Sequence, residues 1–135
     1  MINRVPGDKI DQAARVVFEE AGKDGRGMAF AVVDEAGELV FGTRMENTPA
    51  RVLRHAVRKA YTAAVMERDT ITFRDQDRQL GKTLADWGDP MLTHLVGGVV
   101  ITVRGEGFGG IGVGGNSTER DDEIARMALE VLIAE

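Results

Sequence analysis

Four polar residues recur along one predicted helix at the spacing that places side chains on a common helix face. Arg51, His55, Arg58 and Thr62 follow one another at intervals of four, three and four, so their side chains form one stripe. Guanidinium groups hold carboxylates through paired hydrogen bonds, and Arg44 adds a positive charge at the end of the preceding strand. We expect these residues to bind a ligand that carries a carboxylate. The alternative is a solvated helix face or a subunit contact.

Glycine dominates a second segment, in which nine of the nineteen residues from 97 to 115 are glycine. The pattern G-x-G-x-x-G occurs at 105–110 and again at 110–115, but a dinucleotide site also needs a βαβ unit and an acidic residue about 20 positions onward. The residues after Gly115 fit one helix, which argues against that site. We expect instead an anion beside the backbone of Gly112, Gly114 and Gly115, where a strand leads into a helix N-terminus. Tight packing at the glycines is the alternative.

Acid–base and metal-binding candidates are few. Asp34 ends a predicted buried strand, where a carboxyl group is partly removed from water, although an aspartate in this position is more often a hydrogen-bonded turn residue. The two histidines, His55 and His94, lie far apart in a chain without cysteine, so no zinc site is expected. Either histidine is a possible ligand for a haem iron. Ser117, the single serine, lacks a G-x-S-x-G setting.

The elements that must position these residues are helices and β-hairpins in alternation. Helices are predicted over 8–23, over 48–66 and from 118 onward, and strands over 28–34, 38–44, 99–103 and 107–113. The first strand is almost continuously apolar, which predicts that both of its faces are covered. Residues 69–96 are richer in charge and contain a possible short helix over 77–87, so we expect a mobile or ligand-facing insertion there. The order α-β-β-α-(α)-β-β-α favours an α+β fold, a small antiparallel sheet flanked by helices.

Length and charge restrict the class of protein. The chain has 135 residues and a net charge of −5, which fits a single domain over residues 1–135. It has no long basic run, so no nucleic-acid partner is expected. No apolar stretch approaches the ~20 residues of a membrane span, and the N-terminus does not resemble a signal peptide. We expect a cytoplasmic protein with no membrane partner.

Five segments, taken in order, resemble the GlcG/HbpS family of haem-binding-protein-like domains, which is related to the C-terminal domain of the PduO corrinoid adenosyltransferases. The segments are Ala-Val-Val-Asp-Glu-Ala-Gly-Glu-Leu-Val (31–40), Arg-Met-Glu-Asn-Thr-Pro-Ala (44–50), Lys-Ala-Tyr-Thr-Ala-Ala (59–64), Gly-Gly-Val-Val-Ile (97–101) and Gly-Ile-Gly-Val-Gly-Gly (110–115). The resemblance implies an antiparallel sheet flanked by helices and a homo-oligomer, a dimer or larger. It also implies haem or another small anion as ligand. Tetrapyrrole-binding relatives are associated with a histidine near the N-terminal helix, and residues 1–27 contain none, so an iron ligand would come from His55, His94, a methionine or Tyr61.

Two hypotheses follow. In the first, the protein binds haem or another small anionic ligand in a pocket near a subunit interface. In the second, it is a cofactor-independent enzyme of the hydrolase, lyase or isomerase type that acts on a small carboxylate. There, Arg44, Arg51 or Arg58 would hold the carboxylate, the backbone of 112–115 would stabilise developing negative charge, and Asp34 or Lys59 would move a proton.

Overall fold

The elements form in the predicted order. The computed structural model describes residues 2–135, which contain four α-helices, one short 3₁₀ helix and four strands. The elements are α1 (Ile10–Asp24), β1 (Ala29–Asp34), β2 (Leu39–Arg44), α2 (Ala50–Met66), α3 (Thr70–Leu80), the 3₁₀ helix (Leu84–Trp87), β3 (Gly98–Val103), β4 (Glu106–Gly114) and α4 (Thr118–Ile133). The α+β class and the two hairpins are confirmed. No helix within residues 2–135 is both long enough and apolar enough to cross a membrane.

The four strands form one antiparallel sheet in the order β2-β1-β4-β3. Strands β1 and β4 therefore lie in the middle, and Gly112 of β4 pairs with Ala31 on one side and with Gly98 on the other. All six residues of β1 are buried, because α2 covers one face of the sheet and α1 and α4 cover the other. The prediction that both faces of β1 are covered is confirmed.

The two faces of the sheet differ in side-chain size. The face toward α1 and α4 carries the large residues Phe30, Val32, Ile111 and Val113. The face toward α2 carries mostly alanine and glycine, with Val33 beside them. Alanine and glycine are small enough for a helix backbone to approach closely. A Cβ atom added at Gly112 would overlap the carbonyl oxygen of Ala56, and Cβ atoms at Gly98 and Gly110 would overlap α2 carbonyls in the same way. These glycines set the distance between α2 and the sheet.

Helix starts differ from the predictions by one or two residues. Helix α1 begins at Ile10 and not at Asp8, and Lys9 precedes it without a side-chain cap. Thr48 is the first residue of the helix predicted over 48–66, but it lies outside α2, where its hydroxyl is buried and donates to the Glu46 carbonyl. The chain then enters α2 through Pro49, which fixes its own φ near the helical value.

The charged segment over 69–96 is more helical than predicted. A helix was expected over 77–87, but α3 occupies Thr70–Leu80, and only the single 3₁₀ turn Leu84–Trp87 lies near the end of the predicted range. The buried side of α3 is narrow, since only Thr70, Phe73 and Asp77 are buried on it. So few buried apolar residues in eleven give too weak a periodic signal for sequence reasoning to find this helix.

Candidate functional site

Helix α2 carries the polar stripe predicted from the sequence, but the stripe runs from solvent into the core. Arg51 is exposed, His55 and Arg58 are half-buried, and Thr62 is fully buried. The Thr62 hydroxyl donates to the Arg58 carbonyl and accepts the amide hydrogen of Thr93. The prediction that Thr62 belongs to an outward-facing stripe is therefore wrong, because its hydroxyl anchors a loop instead.

The guanidinium group of Arg58 fastens the loop that precedes β3. It donates to the carbonyl oxygens of Pro90 at 2.7 Å and Leu92 at 3.1 Å, with a longer contact of 3.4 Å to Met91. Arg58 thus holds a loop in place with most of the donors that a carboxylate would use. The rest of the Arg58 side chain lines the edge of an apolar depression on α2.

An apolar depression opens on the outer side of α2. It has a volume of about 310 Å³ and is lined by Leu53, Val57 and Met91, with the side chains of Arg54 and Arg58 beside them. Met91 is itself exposed. The depression therefore combines an apolar floor with the side chains of two arginines at its edge, which suits a flat apolar molecule that carries anionic groups.

His55 lies among positive charges on the same helix. Partial burial lowers the pKa of His55, and the neighbouring cations lower it further, first Lys59 and then Arg58, Arg51 and Arg54. Both effects disfavour the imidazolium form. At neutral pH His55 is therefore a neutral imidazole with a free nitrogen lone pair, the form that binds metals.

Lys59 lies on the opposite, inner side of α2. Its ammonium group contacts the Asp121 carboxylate at 3.1 Å and donates to the Val113 carbonyl at 2.8 Å. Asp121 also accepts the amide hydrogen of Asn116 at 3.0 Å. Burial lowers the pKa of Lys59 and raises that of Asp121, and the ion pair opposes both shifts. This pair connects α2, β4 and the start of α4.

Asp34 and Arg44 lie at opposite ends of the sheet. Asp34 pairs with Gly109, whereas Arg44 pairs with Ala29 five residues back along β1, a separation of roughly 17 Å at about 3.3 Å per residue. The Asp34 carboxylate accepts two amide hydrogens of the β1–β2 turn, each at 3.0 Å. Arg44 is exposed and donates to the Thr48 carbonyl at 3.0 Å. The structure does not bring these two residues together.

The glycines of β4 also have local partners. Gly112 lies beneath α2, as described above. Gly114 lies against Val52, one turn earlier along α2, and the Lys59 ammonium group is nearby. Gly115 has a φ of +112°, a conformation that favours glycine, and packs against the Gly27 backbone. At the start of α4 the Ser117 hydroxyl caps the helix by accepting from the Arg120 amide. These contacts give the glycines a packing role.

Sequence reasoning missed a cluster around His94. Nε2 of His94 lies 2.6 Å from the carboxylate of Asp77, which is 1% exposed. Trp87 donates its indole hydrogen to the same carboxylate at 3.1 Å, and Phe73 packs against the His94 ring with centroids 5.2 Å apart. The only signal in the sequence was the presence of Asp77 and His94 in one charged segment. Nothing in their spacing indicated contact, because only the folded chain brings α3 and the loop before β3 together.

Comparison with known proteins assigns the chain to a family. The family model described as "Haem degrading protein HbpS-like" matches residues 6–130. The chain belongs to the HbpS-like family. Protein GlcG of Escherichia coli K12 is 35% identical over 95 residues, which are 70% of this chain and 69% of GlcG. The GlcG/HbpS resemblance seen in the sequence is confirmed.

Solved structures share the fold of this HbpS-like chain. A double mutant of Streptomyces reticuli HbpS superposes with a TM-score of 0.81 at 33% identity and covers 93% of this chain and 84% of that one. A PduOC:heme complex gives a TM-score of 0.82 at 26% identity, with 93% and 92% of the two chains covered. Within residues 2–135 this HbpS-like chain has no group of three or more His, Asp or Glu side chains placed to hold a metal ion.

Proposed function

We propose that this HbpS-like protein binds haem, or another flat apolar anion, on the outer side of α2. One observation carries the proposal: an apolar depression formed by Leu53, Val57 and Met91 is bordered by the side chains of Arg54 and Arg58. Apolar burial supplies affinity for a macrocycle, and the exposed Arg54 supplies a partner for its carboxylates. Haem is the ligand to test, because the structurally similar PduOC forms a heme complex and the matching family is that of HbpS-like haem degrading proteins.

Of the two histidines, His55 fits the role of an iron ligand. Its imidazole is neutral because burial and nearby cations lower its pKa, and it lies on the helix that carries the depression. His94 lies on another segment, outside the depression, and its Nε2 is in contact with Asp77. Bound haem supplies an iron that takes an axial nitrogen ligand. We therefore assign that nitrogen to His55, on the same subunit or on a second copy of the chain.

The depression is exposed to solvent, and this supports a homo-oligomer in which a second copy covers the ligand. The depression is open, and Met91 and Arg54 at its border are exposed. A ligand of the size of haem would therefore leave much of its surface in water on one chain alone. A second copy packed against α2 would cover it, as expected for a pocket near a subunit interface.

A haem titration followed by absorbance tests this function. The wild-type protein should give a saturable, shifted Soret band that is lost in His55→Ala and kept in His94→Ala. Arg54→Gln should weaken binding, whereas Arg104→Gln, at an exposed turn on the far hairpin, should not. A wild-type spectrum identical to that of free haem would refute the proposal. Loss of the band in His94→Ala alone would refute the assignment of His55.

A further inference from the structure

A second cleft, distinct from the depression on α2, lies between α3, the segment before β3 and the start of α4. It has a volume of about 380 Å³, and its lining includes Arg74, Arg78, Thr93, His94 and Thr118. The two arginines are four residues apart on α3, so they lie on one side of that helix. The cleft is large enough for an organic acid of a few carbon atoms.

The contact between His94 and Asp77 determines which hydrogen-bonding atom the ring offers to this cleft. The buried Asp77 carboxylate accepts from Trp87 and lies 2.6 Å from Nε2 of His94. The tautomer that fits this contact carries its hydrogen on Nε2 and keeps a lone pair on Nδ1. Within residues 2–135, every buried side-chain nitrogen or oxygen has a hydrogen-bond partner. Nδ1 has none there, so this atom is not buried. Nδ1 is consequently accessible as an acceptor.

The charges around the cleft favour an anion on the α3 side. Arg78 is exposed and makes no ion pair within the described part of the chain. Arg74 is paired with its neighbour Asp75 at 3.1 Å, an exposed contact that a ligand can replace. The carboxylates of Glu119 and Asp122 border an adjoining hollow on the α4 side. A carboxylate ligand is thereby directed toward the two arginines and away from α4.

We propose that this cleft binds a small carboxylic acid that also carries a hydrogen-bond donor, with its carboxylate on Arg74 and Arg78 and its donor, a hydroxyl or amino group, on Nδ1 of His94. Asp77 is the positioning residue, since it fixes both the ring orientation and the tautomer of His94. The arrangement is independent of the haem proposal, because no residue is shared between the two sites.

Calorimetric titration with three four-carbon acids tests the proposal. Malate and aspartate carry a donor that succinate lacks. Malate or aspartate should bind at least about tenfold more tightly than succinate, the factor that one hydrogen bond of about 1.4 kcal/mol provides. Equal affinity for all three acids, or no binding of any of them at millimolar concentration, would overturn the proposal.

Variants locate the binding. The double substitution Arg74→Gln and Arg78→Gln changes only α3 surface residues, and it should reduce the affinity for malate by at least about tenfold. His94→Ala should remove the preference for malate over succinate. Arg54→Gln is the matched control, which should lower haem affinity and leave malate binding unchanged. Unchanged malate affinity in the double variant would overturn this site, whatever the haem titration shows.

Discussion

The buried ion pair between Lys59 and Asp121 makes a quantitative prediction about stability. The two residues are 4% and 3% exposed, so removal of either partner leaves a charge in the interior. Breaking a buried pair in this way costs about 3–5 kcal/mol. Lys59→Met also leaves the Val113 carbonyl without the ammonium donor, and Asp121→Leu removes the acceptor of the Asn116 amide.

The double variant Lys59→Met, Asp121→Leu should lose less free energy of unfolding than the two single variants lose together. It has no buried charge at these two positions, and its main cost is the two hydrogen bonds just named, about 1 kcal/mol each. We therefore expect the double variant to lose about 2 kcal/mol, where simple addition of the single losses gives about 6–10 kcal/mol.

The free energies of unfolding, obtained from urea titrations of all four proteins, measure this coupling. Equal urea dependence across the set would show that the variants unfold from comparable native states. If the two single losses add to within about 0.5 kcal/mol, the residues are independent, and the interpretation of the pair as a coupled buried ion pair is refuted. The double variant should also keep haem binding, since neither residue lines the depression on α2.

Three further predictions concern α2 and its neighbours. Gly112→Ala should destabilise the fold by about 1–3 kcal/mol or more, because the added Cβ meets the α2 backbone, whereas Gly107→Ala, with open space around it, should change the urea midpoint little. Arg58→Ala should speed amide hydrogen exchange in the loop around 90–92 that its guanidinium group holds. The pKa of His55 is lower in the folded protein than in the unfolded chain. The contribution of His55 to stability is therefore complete above the unfolded pKa of about 6.5 and is lost as pH falls through the folded value. His55→Gln should accordingly reduce the fall in melting temperature below pH 6.5.

Each of these has an outcome that contradicts it. Equal destabilisation by Gly112→Ala and Gly107→Ala would mean that the glycines do not set the position of α2. Exchange rates in the loop that rise as much in Arg51→Ala as in Arg58→Ala would show that the guanidinium contacts are not what holds it. An acid-induced loss of stability that is the same with and without the His55 imidazole would mean that protonation of this ring does not oppose folding.

The sequence predicted the architecture well because local patterns determine it. Pairs of apolar strands separated by turn residues identified both hairpins, and the apolar stripes identified α1, α2 and α4. The role of the glycines was harder to predict. Their density indicated close backbone approach, but only the register of β4 against α2 shows that Gly112 meets Ala56.

The candidate sites depend on contacts between residues distant in sequence. Asp77 and His94 are joined across seventeen positions, and Lys59 and Asp121 across sixty-two. No periodicity connects such pairs, because the fold alone brings them together. The polar stripe of α2 was correct for Arg51, His55 and Arg58 as neighbours on one helix. It was wrong for Thr62, because one further turn brings that residue under the loop fastened by Arg58.

The alanine and glycine surface beneath α2 has a consequence for how this domain can change over time. Where large side chains separate a helix from a sheet, a substitution on either one alters the spacing and shifts the helix. Here backbone contacts fix that spacing, so the outward residues of α2 can be exchanged without moving the helix that presents them. One framework can therefore acquire different ligand preferences through a few surface substitutions, while selection on the inner face continues to favour residues with almost no side chain.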